Sequence, residues 1–170
     1  MVMSTHQFCS GTIATPFGVL TVVASDDGVR YVMFENDAHP KPLQGLDVHV
    51  KSHPVLDDAL IQLREYFNGS RRQFELPLDL VGTDFQVEAW KSLARIPFGT
   101  TASYGEQAAS IGRPTAVRAI GGANGRNPVG VVLPCHRVIG ANGSLTGFGG
   151  GIEVKKWLLQ HEQNVIAGNR

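Results

Sequence analysis

The sequence has few cysteines, no metal-binding cluster and no long apolar run. Cys9 and Cys135 are its only cysteines, and two distant thiols do not make the disulfide framework of a small secreted protein. Neither lies in a Cys-x-x-Cys or Cys/His cluster, so we expect no metal and no cofactor. No apolar run approaches the ~20 residues that span a bilayer, and residues 1–10 lack the pattern of a signal peptide. These absences favour a cytoplasmic protein without a membrane partner.

The net charge is zero, but it is unevenly distributed. Residues 1–82 carry six basic and ten acidic side chains, a net charge of −4, whereas residues 83–170 carry nine and five, a net charge of +4. A basic second half fits contact with a polyanion such as a nucleic acid. An excess of this size also arises by chance, so charge alone leaves both interpretations open.

The first half has an α/β pattern. Apolar runs at Val19–Ala24 and Val29–Phe34 flank a Ser-Asp-Asp-Gly turn, which predicts a β-hairpin. Residues 36–53 are rich in Pro, Asp, His and Lys and predict an irregular loop. A helix is predicted next, because four apolar residues recur at helical spacing: Leu56, Leu60, Leu63 and Phe67. Gly69 is placed to end this helix. Residues 74–80 then predict a short strand or an extended linker.

Two capping-box signals open the second half. Thr83 with Gln86, and Ser103 with Glu106, have the spacing at which each side chain bonds the other residue's backbone N–H. The second box predicts a short helix that runs through Ile111. The first predicts a helix with four apolar positions: Phe85, Ala89, Leu93 and Ile96.

A third helix is predicted from Ala116 to about Ala123, with Thr115 as its cap. It follows the turn Gly112–Pro114, and a helix, a short Gly-containing turn and a helix give the spacing of a helix-turn-helix. Many helical hairpins share this spacing, so the pattern alone does not establish DNA binding.

The last third of the chain surrounds the second cysteine. An apolar, strand-like run, Val129–Leu133, ends in Pro134–Val138, with the sequence Pro-Cys-His-Arg-Val. A glycine-rich stretch covers residues 140–151, and a final helix is predicted from Ile152 to about Gln163. Its expected buried residues are Val154, Trp157, Leu158 and His161.

Cys135 has the residues of a nucleophilic site near it. A thiolate attacks carbon well, but a free thiol is mostly protonated near neutral pH and needs a base. His136 can supply that base, and Glu162 can orient it, as in a catalytic triad. Adjacent residues of an extended chain point to opposite faces, so His136 would need a bridging water unless the chain turns sharply. Residue types alone equally allow Cys135 to be a small buried apolar residue and His136 a core residue.

The Cys135 segment resembles the signature of the O6-alkylguanine-DNA alkyltransferases of bacterial type, also called methylated-DNA–protein-cysteine methyltransferases. The resemblance covers about residues 83–162, and Thr12–Ala24 is similar more loosely. The matching segments are Tyr104–Glu106, Arg118–Ala123, Asn127–Pro128, Pro134–Gly140 and Lys155–Leu159. The resemblance implies an N-terminal ribonuclease-H-like α/β domain, residues 1–80, which we expect to act as a scaffold. It implies a C-terminal winged-helix-like domain with a helix-turn-helix, residues 81–170.

The resemblance also implies a catalytic set. Cys135 is the alkyl acceptor, and a water, His136 and Glu162 form its proton relay. Tyr104 donates a hydrogen bond to the leaving guanine, on which negative charge develops; a packing role is the alternative. Asn127 braces the turn that carries the cysteine, although Asn before Pro is also ordinary turn chemistry.

A DNA-binding set follows from the same resemblance. Arg118 is the finger that enters the base stack while the damaged nucleotide is flipped out. The helix after Thr115 is small-sided, which allows its backbone to approach the minor groove closely: Ala116, Ala119, Gly121 and Gly122. Tight helix–helix packing is the alternative for these small residues, and a solvated helix face is the alternative for Arg118.

Four residues are expected to form the base pocket: Val138, Phe148, Gly149 and Lys155. Val138 and the 146–151 loop, which contains Phe148 and Gly149, line the pocket, and Lys155 braces that loop. Some family members carry Tyr and Ser where this chain has Phe148 and Gly149. Phe148 keeps an aromatic wall without the hydroxyl, and Gly149 lacks a side-chain donor to the alkylated oxygen. Repair is expected to survive, but the preference among alkyl groups is left open.

The sequence therefore predicts a direct-reversal DNA repair protein. Its partner is double-stranded DNA with O6-alkylguanine, and it transfers the alkyl group irreversibly, once per molecule, to Cys135. O4-alkylthymine repair and cooperative binding of an otherwise monomeric protein are left open. Two alternatives belong to other classes: a lesion-binding sensor without chemistry, which the presence of Cys135 opposes, and a cysteine hydrolase, which leaves Arg118 and the helix-turn-helix unexplained.

Overall fold

The computed structural model describes residues 7–168. Residues 1 and 170, the outer limits of the expected domains, lie outside this range, and so does most of the 1–10 segment that lacks a signal-peptide pattern. No helix within it is long and apolar enough to cross a membrane.

A four-stranded sheet forms the first half of the chain. Its strands are β1 (Gln7–Thr15), β2 (Gly18–Ser25), β3 (Gly28–Phe34) and β4 (Asp47–Val50), in the order β3-β2-β1-β4. The predicted hairpin is confirmed as β2–β3, with Leu20 opposite Phe34. β1 runs antiparallel to β2 and parallel to β4.

The prediction of an irregular loop over residues 36–53 was wrong in part, because β4 lies within it. β4 is a short edge strand that is largely exposed. A half-exposed edge strand lacks the apolar alternation by which strands are recognised, and its pairing with β1 depends on tertiary contact. Residues 74–80 form no regular strand; Leu78 makes an isolated bridge to Val29.

Helix α1 (Pro54–Phe67) packs on β1 and β2. His53 caps its first turn by accepting the Val55 N–H at 3.2 Å. Gly69 follows the last turn with φ of +86°, a left-handed conformation that glycine adopts without strain, so its predicted helix-ending role is confirmed.

Three helices follow in the second half: α2 (Asp84–Leu93), α3 (Tyr104–Ser110) and α4 (Val117–Gly125). Both capping boxes are confirmed, at Thr83 and at Ser103. Ile96 lies beyond the end of α2.

The predicted cap of α4 was wrong. Thr115 does not cap the helix; α4 begins after Ala116, without a side-chain cap. The reason is a turn in which Ala116 N–H bonds the Arg113 carbonyl at 2.9 Å, which delays the helical conformation. The buried side of α4 carries Ile120, Ala123 and Asn124. 

The expected strand over residues 129–133 was also wrong. This stretch is a buried irregular segment with isolated bridges, and Val131 has φ of +73°. Cys135–Arg137 is one turn of 3₁₀ helix. β6 (Val138–Ile139) follows and pairs parallel to β5 (Ala102–Ser103). The last helix, α5 (Ile152–Ile166), is longer than predicted.

One apolar cluster joins the two halves. It contains Leu20 and Val32 of the sheet, Tyr66 of α1, and Cys135 and Leu158 of the second half. The cysteine turn therefore lies against the core that the first half builds.

Candidate active site

The turn at residues 135–137 places Cys135 and His136 on the buried side of the chain. Cys135 is 5% exposed and His136 is fully buried. The turn is closed by the Arg137 N–H, which bonds the Pro134 carbonyl at 3.0 Å. The chain therefore turns sharply at this point, as the sequence left open, and both side chains are buried.

The Cys135 thiol is protonated in its resting environment. Burial raises its pKa above the ordinary value, and the Asn127 side chain and the positive charges of Lys155 and Lys41 offset part of that rise. A base is needed to form the thiolate at neutral pH.

His136 is a buried imidazole held by one carboxylate. Its Nε2 lies 2.6 Å from Glu162 Oε2, and burial lowers its pKa despite that partner. Because an ionised carboxylate only accepts, Nε2 is the donor and Nδ1 of the neutral ring carries the lone pair. Among residues 7–168, Nδ1 has no hydrogen-bond partner. His136 can therefore accept a proton at Nδ1 while Glu162 stabilises the resulting charge.

Glu162 receives hydrogen bonds from four residues. Its Oε1 accepts from Arg137 Nε at 2.9 Å and from Gly99 N–H at 2.9 Å. Its Oε2 accepts from Tyr66 hydroxyl at 2.7 Å and Arg137 Nη2 at 3.1 Å, besides His136. Burial favours the neutral acid, but the bonds and charges of His136 and Arg137 lower the pKa of Glu162 to about 2. The carboxylate is thus a fixed negative charge behind the imidazole.

Sequence reasoning assigned no role to two of these residues. Arg137 was visible inside the Pro-Cys-His-Arg-Val segment, where a basic residue directly after His136 could have been considered as a partner for Glu162. Tyr66 lies in α1, in the other half of the chain, and no local pattern links it to residue 162.

Asn127 holds the segment before the cysteine. Its Nδ2 donates to the Leu133 carbonyl at 2.8 Å, and its Oδ1 accepts the Val129 N–H at 3.0 Å. The side chain is 5% exposed. It therefore satisfies backbone groups of a buried irregular segment, which has few regular hydrogen bonds of its own.

Tyr104 and Lys155 meet at one carbonyl of the glycine-rich loop. Tyr104 hydroxyl donates to the Thr146 carbonyl at 2.8 Å, and Lys155 Nζ donates to the same oxygen at 3.0 Å. Lys155 Nζ also donates to the Val138 carbonyl at 2.6 Å. The ammonium group thus ties the loop to the strand that follows Cys135.

The loop residues Phe148 and Gly149 lie against the first half of the chain. Phe148 is 7% exposed and packs edge-on against Phe34, with ring centroids 5.4 Å apart. The Gly149 carbonyl accepts the Ala38 N–H at 2.8 Å. These residues border an open cavity of about 460 Å³, whose other walls include Gly121 and Gly122 of α4.

The six residues expected to touch DNA lie at the start and along the outer side of α4. Arg118 is exposed and, within the described chain, forms no ion pair or hydrogen bond. The others are exposed or half-buried: Thr115, Ala116, Ala119, Gly121 and Gly122. Gly121 and Gly122 connect this surface to the cavity beside Phe148.

The chain matches a family in both halves. Residues 84–164 match the DNA binding domain of 6-O-methylguanine DNA methyltransferase, and residues 9–80 match its ribonuclease-like domain. The chain belongs to this family. The resemblance inferred from the Cys135 segment is confirmed, and so is the division into a ribonuclease-like α/β half followed by a DNA-binding half.

Individual relatives agree over most of the chain. A methylated-DNA–protein-cysteine methyltransferase of Methanosarcina acetivorans is 41% identical over 87% of this chain and 94% of its own length. A methylated-DNA–protein-cysteine methyltransferase of Mycobacterium bovis is 45% identical over 90% of this chain and 91% of its own length. A crystal structure of Mycobacterium tuberculosis OGT in complex with DNA superposes with a TM-score of 0.85 at 41% identity, covering 92% of this chain and 94% of the other.

Proposed function

We propose that this chain is a methylated-DNA–protein-cysteine methyltransferase that repairs O6-alkylguanine by moving the alkyl group onto Cys135. The single observation that carries the proposal is the buried His136–Glu162 pair, 2.6 Å apart, beside a buried cysteine. Family membership and the relatives' names support the same reaction.

The reaction is a displacement at the alkyl carbon. The Cys135 sulfur forms a bond to that carbon with its lone pair, and the bond from carbon to guanine O6 breaks. The electron pair of the broken bond stays on guanine, which takes up a proton. A thioether has no leaving group that water displaces under cellular conditions, so each molecule reacts once.

His136 removes the thiol proton in this proposal. Its Nδ1 carries the lone pair, and a water between sulfur and Nδ1 would carry the proton across. Glu162 stabilises the imidazolium that forms. Tyr104 supplies a hydroxyl at the loop, where a hydrogen bond to the departing guanine would lower the barrier.

DNA binding is assigned to α3 and α4, as a helix-turn-helix within a winged-helix-like domain. Arg118 is exposed on α4 without a partner in residues 7–168, which supports its role as the finger that fills the space of a flipped nucleotide. The small residues of α4 suit close approach to a minor groove, whose degenerate pattern fits a protein that must find damage in any sequence. Val138, Phe148, Gly149 and Lys155 form or brace the base pocket. We place the division between the two domains at residues 80 and 81 and expect a monomer in the cytoplasm.

Intact mass spectrometry tests the reaction. The full chain is incubated with a duplex that contains O6-methylguanine, and we expect a gain of one methyl group, mapped to Cys135 and absent in Cys135→Ser. Binding without any mass gain would favour a lesion sensor. Turnover of acyl substrates without alkylation would favour a cysteine hydrolase.

A second comparison tests the finger. Arg118→Ala should react with free O6-benzylguanine at nearly the normal rate but repair duplex DNA roughly tenfold or more slowly, because only the duplex requires flipping. Lys51→Ala is the matched loss of one positive charge, in the ribonuclease-like half. Equal losses on both substrates would contradict the role assigned to Arg118.

A further inference from the structure

We propose that Tyr66, in the ribonuclease-like half, is a positioning residue for alkyl transfer: its hydroxyl holds Glu162 Oε2 against His136 Nε2. This inference rests on the function proposed above. It gives the first half of the chain a part in the chemistry, whereas the sequence led us to expect a scaffold.

The contact is direct and buried. Tyr66 is fully buried, and its hydroxyl donates to Glu162 Oε2 at 2.7 Å. The same oxygen accepts from His136 Nε2 at 2.6 Å. Burial and the adjacent Glu162 raise the pKa of the phenol well above its ordinary value, so the hydroxyl stays protonated and acts as a donor to the carboxylate.

The ring that carries this hydroxyl is fixed by aromatic neighbours from both halves. Its centroid lies 5.3 Å from that of Phe67, 5.6 Å from Phe74, 6.0 Å from Phe98 and 5.2 Å from His161. The His161 ring also bonds the Tyr66 carbonyl, with Nε2 at 2.7 Å. Since His161 precedes Glu162 in α5, Tyr66 is bonded to two consecutive residues of that helix.

The position of the hydroxyl has an electrostatic consequence. A donor to Oε2 takes up part of the carboxylate's charge and limits how strongly Glu162 favours the imidazolium over the neutral ring. The charged groups that act on His136 are Glu162, which raises its pKa, and Arg137 and Lys155, which lower it. Without the hydroxyl, Oε2 keeps only the donors His136 and Arg137 among the bonds described above. Its negative charge then acts more strongly on the imidazole, so the pKa of His136 rises. A protonated His136 cannot accept the thiol proton.

The experiment compares Tyr66→Phe with Tyr31→Phe in the full chain. Each change deletes one buried hydroxyl, but the Tyr31 hydroxyl lies 3.5 Å from the Pro42 carbonyl and beside Arg30, in an apolar cluster that does not contain Cys135. Single-turnover alkylation by free O6-benzylguanine is measured from roughly pH 5 to 9, the range in which histidine titrates. For Tyr66→Phe we expect a roughly tenfold slower reaction near neutral pH and an acid limb shifted to higher pH. Tyr31→Phe should match the unchanged protein.

Two further measurements separate the outcomes. Melting temperature reports folding, and the ring resonances of His136 report its titration without any reaction. A lower melting temperature with an unchanged pH profile and unchanged His136 titration would overturn the proposal and leave Tyr66 a structural residue. If the unchanged protein is not alkylated at all, the proposed function fails, whereas the His136 titration still decides whether Tyr66 acts on the imidazole.

Discussion

Arg137 binds the Glu162 carboxylate with two hydrogen bonds, from Nε to Oε1 at 2.9 Å and from Nη2 to Oε2 at 3.1 Å. Both side chains are buried, at 7% and 1% exposure. The guanidinium also donates from Nη1 to the Ile96 carbonyl at 2.7 Å and lies over the Phe98 ring. A buried pair of this kind is costly to break, because the remaining charge stays out of water.

Arg137→Leu should therefore destabilise the fold strongly. We expect a loss of about 3 kcal/mol or more in the free energy of unfolding, measured by urea denaturation, since Glu162 would keep its charge with fewer donors. Arg113→Leu is the matched control: its partner Glu88 lies at 3.5 Å and both side chains are about half exposed, so a change below ~0.5 kcal/mol is expected. Similar losses in the two variants would contradict this account of the buried pair.

Acid should weaken the fold through Glu162. The pKa of Glu162 is lowered from its ordinary 4.5 to about 2. Because the folded-state pKa is below the unfolded one, this stabilisation is present above about pH 4.5 and is lost as the pH falls toward 2. Glu162→Gln should show a flatter decline of unfolding free energy across that interval. An equally steep decline would show that other carboxyl groups cause it.

Lys155→Met should loosen the loop that borders the cavity. The change removes the buried ammonium donor to the Val138 carbonyl and one of the two donors to the Thr146 carbonyl, which keeps its bond from Tyr104. A buried carbonyl left without a donor costs about 1–3 kcal/mol. We expect a lower melting temperature and slower alkylation of Cys135. Lys156→Met, one residue along α5, removes an exposed ammonium that pairs with Glu153 at 3.4 Å, and it should leave both measurements nearly unchanged. Slower alkylation in both variants would point to a general effect of charge.

Gly149→Ala tests how closely the loop fits the first half of the chain. A Cβ at this position would lie 3.1 Å from Asp37 Oδ1 and 3.4 Å from the Gly125 carbonyl. Asp37 must then shift, which disturbs its 3.4 Å ion pair with Lys41, so a loss of about 1 kcal/mol is expected in urea denaturation. Gly122→Ala has open space around the new methyl group and lies within α4, where alanine is favoured, so it should keep or raise the stability. A stability gain at residue 149 would contradict the tight fit.

The sequence correctly predicted the elements that are stabilised by residues close together in the chain. The β2–β3 hairpin and both capping boxes depend on residues a few positions apart, and the structure has all of them. The predicted cap at Thr115 was wrong because the Arg113 carbonyl closes a turn at Ala116, and α4 begins only after that turn. The strand expected over residues 129–133 is absent because that buried segment is irregular and its backbone groups bond the Asn127 side chain instead.

The sequence by itself determined the family and the pair Cys135–His136, because the motif that identifies both consists of consecutive residues. It also pointed to Glu162 through the resemblance. Only the tertiary structure decided what surrounds that carboxylate: Tyr66 lies 96 positions earlier in the chain and Gly99 lies 63 positions earlier. Contacts at such separations depend on how α1 and α5 pack across a shared core, and no local pattern of residues records that packing.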